Sequence, residues 1–346
     1  MRGLRKYLTP FAPDQSGAVS VLYELGGIIV ICDAGGCTGN VCGFDEPRWF
    51  ERKSAVFSAG LRDMDAILGR DDRLVAKLVD AADKIDANFA AIVGTPVPAV
   101  IGTDYQALKR MCEKKTDLPI LAIDTDGMEL YDKGEEKAYL ALFTAFAKEK
   151  YEVCKEKVGI LGMTPQDVSD LKAADKVREE LKKEGKEAIC YGMGDGIEAV
   201  ERASEVGKNI VVSAAALEAA KYLEKTFGTP YEIGYPAAGE LVPNLDYQGK
   251  KILVVHQQMM AEAIRQEILK RENSAEVQTA TWFMRKKELA CPQDVSLREE
   301  DDYIDLVKNG GFDIIFADAC MEKMVPDFQG IFVNTRHFAV SGRLCE

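Results

Sequence analysis

Short apolar runs alternate with amphipathic segments along the whole chain, and this alternation constrains the fold more than any other feature. The apolar run 27–32 is followed by an amphipathic segment at 71–86 and then by the apolar run 89–93. Apolar runs joined by helical segments are typical of parallel strands whose connecting helices cover both faces of a sheet. The chain is therefore predicted to be an α/β protein.

The alternation restarts twice, at predicted strands 157–162 and 250–256, and a stretch rich in glycine and proline at 228–243 precedes the second restart. The length of 346 residues allows about two or three domains, each with its own core. We therefore expect three similar α/β domains in tandem. The predicted domains are 1–155, 156–248 and 249–346.

The charge balance argues against two classes of partner. The chain has 57 Asp and Glu against 44 Lys and Arg, a formal net charge of −13. Such a surface repels the phosphates of nucleic acid and of anionic membranes. No apolar run approaches the ~20 residues of a membrane-spanning helix. We expect a cytoplasmic protein with no nucleic-acid or membrane partner.

Nine cysteines are unusual for such a chain, and an odd number in a reducing compartment does not suggest a disulfide framework. Three of them form a C-x4-C-x4-C cluster at Cys32, Cys37 and Cys42. The other six are scattered singly and are expected to pack as small apolar residues. These six are Cys112, Cys154, Cys190, Cys291, Cys320 and Cys345.

The cysteine cluster follows a predicted strand, in a loop that contains Gly35 and Gly36. Ligands of open α/β sheets bind at the carboxyl ends of strands, and thiolates on a glycine-rich loop can converge on one soft metal centre. Three thiolates favour an iron–sulfur cluster, with [4Fe–4S] as the expected type and a fourth ligand from elsewhere. Structural zinc, redox-active thiols and three unrelated buried cysteines are the alternatives.

Four other residues are candidates for a catalytic role. Asp124 and Asp126 follow a predicted strand and could face the same crevice, although acidic residues there also cap helices. Arg336 and His337 lie in a polar tail that could bind an anionic substrate or simply be solvated.

Several segments, in order and spacing, resemble the nitrogenase component 1 family, which includes subunits of dark-operative protochlorophyllide reductase and of the nickel-tetrapyrrole reductive cyclase. Ser16-Gly-Ala, the strand after it and Gly-Gly-Cys37 resemble the entry strand of that family and its Gly-Cys cluster ligand. The further similar segments are 94–104, 123–134, 158–162, 209–213 and 223–231.

The resemblance implies three Rossmann-like domains around a central cleft. It also implies a cluster ligand at Cys37, the one cysteine at a matching position. We expect Cys32 and Cys42 to replace the family's other ligands locally, and Asp14, Asp33 or a residue of a partner chain to complete the coordination. The implied partners are a homologous component 1-like subunit or a second copy in a dimer, an ATP-dependent iron–sulfur reductase protein, and a small-molecule substrate.

The sequence departs from the family pattern at two informative positions. Pro96 stands where the family has another cysteine ligand, and Ser213 lies near the position of the cysteine that holds the iron–molybdenum cofactor. We therefore expect no iron–molybdenum cofactor and no reduction of dinitrogen. The leading hypothesis is a nitrogenase-like reductase subunit. The alternatives are a non-catalytic scaffold or carrier for a cluster or tetrapyrrole, and a zinc-stabilised binding protein.

Overall fold

A computed structural model describes residues 5–52, 54–62, 64–65 and 70–345. Within them the chain forms three separate sheets, in which all neighbouring strands are parallel. The predicted α/β class with parallel sheets is therefore confirmed. No helix in this described part is both long enough and apolar enough to cross a bilayer.

The first sheet has the strand order β2-β1-β3-β4. Its strands β1 and β3 are buried along their full length because helices cover both faces, which explains their continuous apolar sequence. The strands are β1 (Ile28–Ile31), β2 (Ala55–Ser58), β3 (Ala90–Val93) and β4 (Ile120–Ile123). The helices are α1 (Asp14–Leu22), α2 (Gly36–Asn40), α3 (Asp71–Ala82), α4 (Pro96–Ile101), α5 (Tyr105–Glu113) and α6 (Tyr131–Phe146).

The second sheet has the strand order β6-β5-β7-β8. Its strands are β5 (Cys154–Leu161), β6 (Glu187–Cys190), β7 (Val206–Val211) and β8 (Tyr231–Ile233). The helices are α7 (Pro165–Val168), α8 (Ala173–Lys183), α9 (Ile197–Glu201), α10 (Leu217–Phe227) and α11 (Ala238–Leu241). The glycine- and proline-rich stretch 228–243 contains both β8 and α11.

The third sheet has the strand order β11-β10-β9-β12-β13. Its strands are β9 (Lys251–Val255), β10 (Glu276–Thr281), β11 (Val295–Ser296), β12 (Ile314–Ala317) and β13 (Ile331–Asn334). The helices are α12 (Gln258–Arg271), α13 (Glu300–Gly310) and α14 (Phe338–Ser341). We call each sheet with its helices a unit. The last helix of the third unit, α14, contacts the second unit, because the backbone N–H of Phe338 donates to the Ser169 hydroxyl at 2.6 Å.

Candidate functional site at the carboxyl edge of the first sheet

The carboxyl ends of the first sheet's strands are joined by side-chain hydrogen bonds. The Thr95 hydroxyl, after β3, donates to the Cys32 carbonyl at 2.7 Å, and the Thr125 hydroxyl, after β4, donates to the Gly94 carbonyl at 2.7 Å. On the other side the Ser58 hydroxyl, in β2, donates to Oδ1 of Asp33 at 2.6 Å. The segments that follow the four strands therefore form one continuous edge.

Asp33 anchors the cysteine-containing segment to this edge. Its buried carboxylate accepts the backbone N–H of Thr38 at 2.7 Å and the Thr38 hydroxyl at 2.9 Å, in addition to Ser58. Gly35 turns the chain into α2 with φ of 115°, a left-handed conformation that disfavours side chains. Because its oxygens are already engaged, Asp33 acts as a structural anchor of α2.

Asp14, the other carboxylate considered as a fourth ligand, is also engaged within the chain. It accepts the backbone N–H groups of Asp126 at 2.9 Å and Gly127 at 2.7 Å. It is fully buried, and this burial raises its pKa. Asp14 therefore connects the start of α1 to the segment that follows β4.

The three clustered thiols face different surroundings. Cys32 is buried with Val30 and Leu74 in an apolar cluster, and burial, aided by repulsion from Asp71 and Asp33, raises the pKa of its thiol to about 12. Cys42 is buried in a different apolar cluster, the one that contains α1 and α6. Cys32 and Cys42 therefore belong to separate cores.

Cys37 lies in α2 and is the half-buried member of the three. Burial and repulsion from Asp33 raise the pKa of its thiol, while the nearby Thr95 hydroxyl acts in the opposite direction. Three glycines of the same segment, Gly36, Gly39 and Gly43, have open space where a side chain would begin. We call these three residues the glycine face. No side chain covers the backbone at these three positions.

No site for a single metal ion is preformed among the residues that the structure describes. Among the described residues, no three His, Cys, Asp or Glu side chains are grouped closely enough to hold a metal ion. The binding of an iron–sulfur cluster by Cys32, Cys37 and Cys42 together stays a prediction.

Of the six scattered cysteines, Cys112 and Cys190 are buried, as expected for small apolar residues. The other four are partly or well exposed, so burial does not account for them. These are Cys154, Cys291, Cys320 and Cys345.

The four catalytic candidates lie in two places. Asp124 is exposed after β4 and forms an ion pair with Lys137 at 3.2 Å. Asp126 accepts the backbone N–H groups of Met128 and Glu129, which shapes the turn after β4. Arg336 and His337 instead follow β13 of the third sheet, so the structure does not bring the four together.

His337 is not part of a solvated tail. It is buried, and its ring stacks on His256 with centroids 4.1 Å apart and planes 6° apart. Nδ1 of His256 accepts the Gln257 backbone N–H at 2.9 Å, so Nε2 of His256 carries the hydrogen that is donated to the Arg336 carbonyl at 3.2 Å. The stacked rings hold the third sheet's carboxyl edge together.

Both histidines are held neutral by their surroundings. Burial lowers the pKa of His256 to about 4. Burial and repulsion from His256 lower the pKa of His337 well below its usual value. Neither ring acts as a cation that would attract an anionic substrate at neutral pH.

Sequence reasoning missed a buried polar group where the three units meet. The Tyr131 hydroxyl donates to Oδ1 of Asp167 at 2.6 Å and lies 2.9 Å from Nε2 of His337. Glu135 lies one helical turn after Tyr131 in α6 and is also fully buried. The signal was present, because helical spacing places Glu135 on the same face of α6 as the apolar residues Ala138 and Leu142.

The chain is similar to known proteins in sequence and in fold. The model of the nitrogenase component 1 type oxidoreductase family matches residues 15–237. No curated protein matches the sequence.

Two solved structures of nitrogenase Cp1 have a similar fold. The structure at pH 6.5 has a TM-score of 0.71 and 14% identity, covering 96% of this chain and 87% of that chain. The structure at pH 5 has a TM-score of 0.67 and 14% identity, covering 96% of this chain and 84% of that chain.

Proposed function

Because the chain belongs to the nitrogenase component 1 type oxidoreductase family, we propose that it is an oxidoreductase subunit that receives electrons from a separate ATP-dependent iron–sulfur reductase. The electrons pass to a small-molecule substrate. The subunit pairs with a homologous chain or with a second copy of itself, and the carboxyl edge of the first sheet is the surface that meets this second chain.

Exposed apolar side chains on the segments that follow three strands of the first sheet carry this proposal. Phe44, Val100 and Met128 are 75%, 76% and 70% exposed. They belong to the segments after β1, β3 and β4. The segments after β3 and β4 approach each other closely, since a Cβ atom on Gly127 would lie 2.4 Å from Cδ of Pro96. Large exposed apolar side chains on one edge are typical of a protein interface, where aromatic residues and methionine are enriched.

The glycine face supports the same surface. Gly36, Gly39 and Gly43 leave room for another backbone or an inorganic sulfide to approach α2 and the turn after it. Cys37 is the partly accessible thiol on this face, so a cluster bound here would need further ligands from a second chain or from a rearranged segment.

Anaerobic co-purification with a homologous chain, followed by iron and sulfide analysis and electron paramagnetic resonance, tests the proposal. We expect an iron–sulfur signal that is lost in Cys37→Ala and kept in Cys154→Ala, a matched change at another half-buried cysteine. Protein without iron, sulfide or charge-transfer absorption in the presence of the homologous chain would contradict the cluster proposal.

The same preparation separates the alternatives. A non-catalytic scaffold or carrier for a cluster or tetrapyrrole is the second candidate, because Pro96 stands where the family has another cysteine ligand. Turnover with the reductase and ATP would exclude that candidate. Stoichiometric zinc after aerobic purification, without iron under anaerobic conditions, would instead indicate a zinc-stabilised binding protein.

A further inference from the structure

The N-terminal segment 5–12 packs against the third unit. The Glu300 carboxylate, in the first turn of α13, accepts the backbone N–H groups of three successive residues, at 2.8 Å for Lys6, 3.0 Å for Tyr7 and 2.8 Å for Leu8. The Leu8 side chain is buried in the apolar core of the same unit. These contacts give the segment a defined position on the third unit.

A cavity of about 430 Å³ lies between this segment and the carboxyl edge of the third sheet. Tyr7 and Thr9 line it from the N-terminal segment, and residues at or after the ends of β12 and β13 line it from the sheet. Ligands of open α/β sheets bind at the carboxyl ends of strands. The volume is at the small end of the ~300–1,000 Å³ typical of ligand sites, so the cavity suits a compact molecule.

Three cationic side chains line this cavity: Lys323, Arg336 and Arg343. Lys323 and Arg343 are exposed, and neither forms an ion pair with any residue that the structure describes. Arg336 is half-buried, and its guanidinium donates to the Leu344 carbonyl. The chain as a whole has a net charge of −13, so this local excess of positive charge runs against the rest of the molecule and favours a bound anion.

Two carboxylates also line the cavity, and they differ in how far they oppose an anion. The backbone N–H groups of Cys320 and His337 each donate to the buried Asp318 carboxylate at 3.0 Å. The Ser341 hydroxyl donates to the same carboxylate at 2.7 Å. The charge of Asp318 is therefore compensated by donors of the chain, whereas Glu322 is exposed and is the carboxylate that would repel a bound anion.

Asn334, the last residue of β13, adds a neutral donor to the cations. Its Oδ1 atom accepts the backbone N–H of Ala319 at 3.0 Å, so its NH2 group is the part of the amide that remains to donate. The hydroxyl groups of Tyr7 and Thr9 can donate from the opposite wall. The cavity therefore offers positive charge and several donors to the oxygens of an anion.

We propose that this cavity binds the phosphoryl group of a compact phosphate monoester, with Lys323, Arg336 and Arg343 as its cationic contacts. A phosphate monoester carries a charge of about −1.5 to −2 at pH 7 and three acceptor oxygens, whereas a carboxylate carries one charge and two oxygens. Three cations and an amide donor match the phosphate better. The inference goes beyond the proposed function, because the site belongs to the third unit and its occupation needs neither a cluster nor a reductase.

Calorimetric titration of the full chain with phenyl phosphate, at constant ionic strength, tests the site. We expect saturable binding of one equivalent, and benzoate, a monoanion with the same ring, should bind about tenfold more weakly or less. Equal affinity for benzoate, or no binding of phenyl phosphate, would overturn the proposal. Inorganic phosphate should compete with phenyl phosphate but bind less tightly, and tighter binding of inorganic phosphate would overturn the monoester as the ligand.

Two adjacent residues of the cavity wall give opposite expectations for the same titration. Lys323→Gln and Arg343→Gln each remove a cationic contact and should weaken phenyl phosphate binding about tenfold. Glu322→Gln removes a repelling charge and should tighten binding about two- to fivefold. Lys308→Gln, the matched control, changes an exposed lysine of α13 that does not line the cavity and should leave the affinity unchanged. Equal losses in Lys308→Gln and Lys323→Gln would reduce the effect to net charge and overturn the site.

Acetylation of lysine amines by an N-hydroxysuccinimide ester, followed by peptide mass spectrometry, locates the bound ligand. At a phenyl phosphate concentration of about ten times its Kd, acetylation of Lys323 should slow about tenfold, because only the free protein reacts, and acetylation of Lys308 should not change. Unchanged acetylation of Lys323 in protein that binds phenyl phosphate would place the ligand elsewhere and overturn the proposal. None of these measurements involves iron or turnover, so their failure and the failure of the proposed reductase function are distinguishable.

Discussion

Individual residues in this protein owe their chemistry to burial more than to their identity. His256 has an ionisable side chain, yet it is only 3% exposed and its ring stacks on that of His337. The pKa of His256 falls to about 4 because protonation would place a charge in an apolar place. Between about pH 4 and pH 6.5, His256 is therefore protonated in the unfolded chain but neutral in the folded protein.

The histidine stack predicts a loss of stability in mild acid. The folded pKa lies below the unfolded value of 6.5, so stabilisation by neutral His256 is present above about pH 6.5 and decreases as the pH falls toward 4. When the pH is lowered from 7 to 5, the free energy of unfolding should fall in both the native protein and His256→Gln. We expect the fall to be about 2 kcal/mol smaller in His256→Gln. Urea denaturation at the two pH values measures this difference, and equal losses would contradict it.

At the scale of elements, α1 and α6 cross with their backbones in direct contact. A Cβ atom on Gly134 would lie 1.7 Å from the carbonyl oxygen of Asp14, and one on Gly17 would lie 1.9 Å from that of Tyr131. This close crossing places the start of α6, with Tyr131 and Glu135, against α1 and the second unit. Glycine is required because any side chain would separate the two helices.

The crossing predicts that Gly134→Ala destabilises the protein by about 1–3 kcal/mol or more, since the added methyl group forces the helices apart. Gly39→Ala is the matched control, because Gly39 is an exposed helical residue with open space around it. The control should be neutral or gain up to about 1 kcal/mol. Thermal and urea unfolding would measure both, and equal effects would refute the close crossing.

Some of the strands and helices could be predicted from the sequence and others could not. The long apolar runs and their helices were predictable, and the predicted strand 250–256 contains β9. Strands β2, β8 and β11 were not predicted. They are edge strands of two to four residues, and their partly exposed pattern lacks a continuous apolar signal.

At the scale of the whole molecule, buried polar contacts join the three units. The Arg48 guanidinium is fully buried and bonds to both oxygens of Glu46 at 2.7 Å, to Glu24 at 3.1 Å and to the Gly192 carbonyl at 3.0 Å. Glu46 and Glu24 belong to the first unit and Gly192 to the second. Arg48 therefore couples the first unit to the second.

Removing this cation leaves Glu46, which is 2% exposed, without its main partner. We expect Arg48→Met to lower the free energy of unfolding by about 3–5 kcal/mol, as for other broken buried ion pairs. Arg52→Met is the control, because Arg52 also pairs with Glu24 but is 42% exposed, and its pair should contribute at most about 1 kcal/mol. Chemical denaturation compares the two, and a similar small loss in both would contradict the buried coupling.

The sequence by itself determined the α/β class and the parallel sheets, because periodicity depends only on which local face is apolar. It also located the cysteine-containing loop at a strand's carboxyl end. Only the tertiary structure decided that Cys32 and Cys42 enter different cores, since spacing along the chain does not fix the direction of a side chain. The stacking of His256 on His337 and the hydrogen bond from Tyr131 to Asp167 were decided there too, because the two residues of each pair are far apart along the chain.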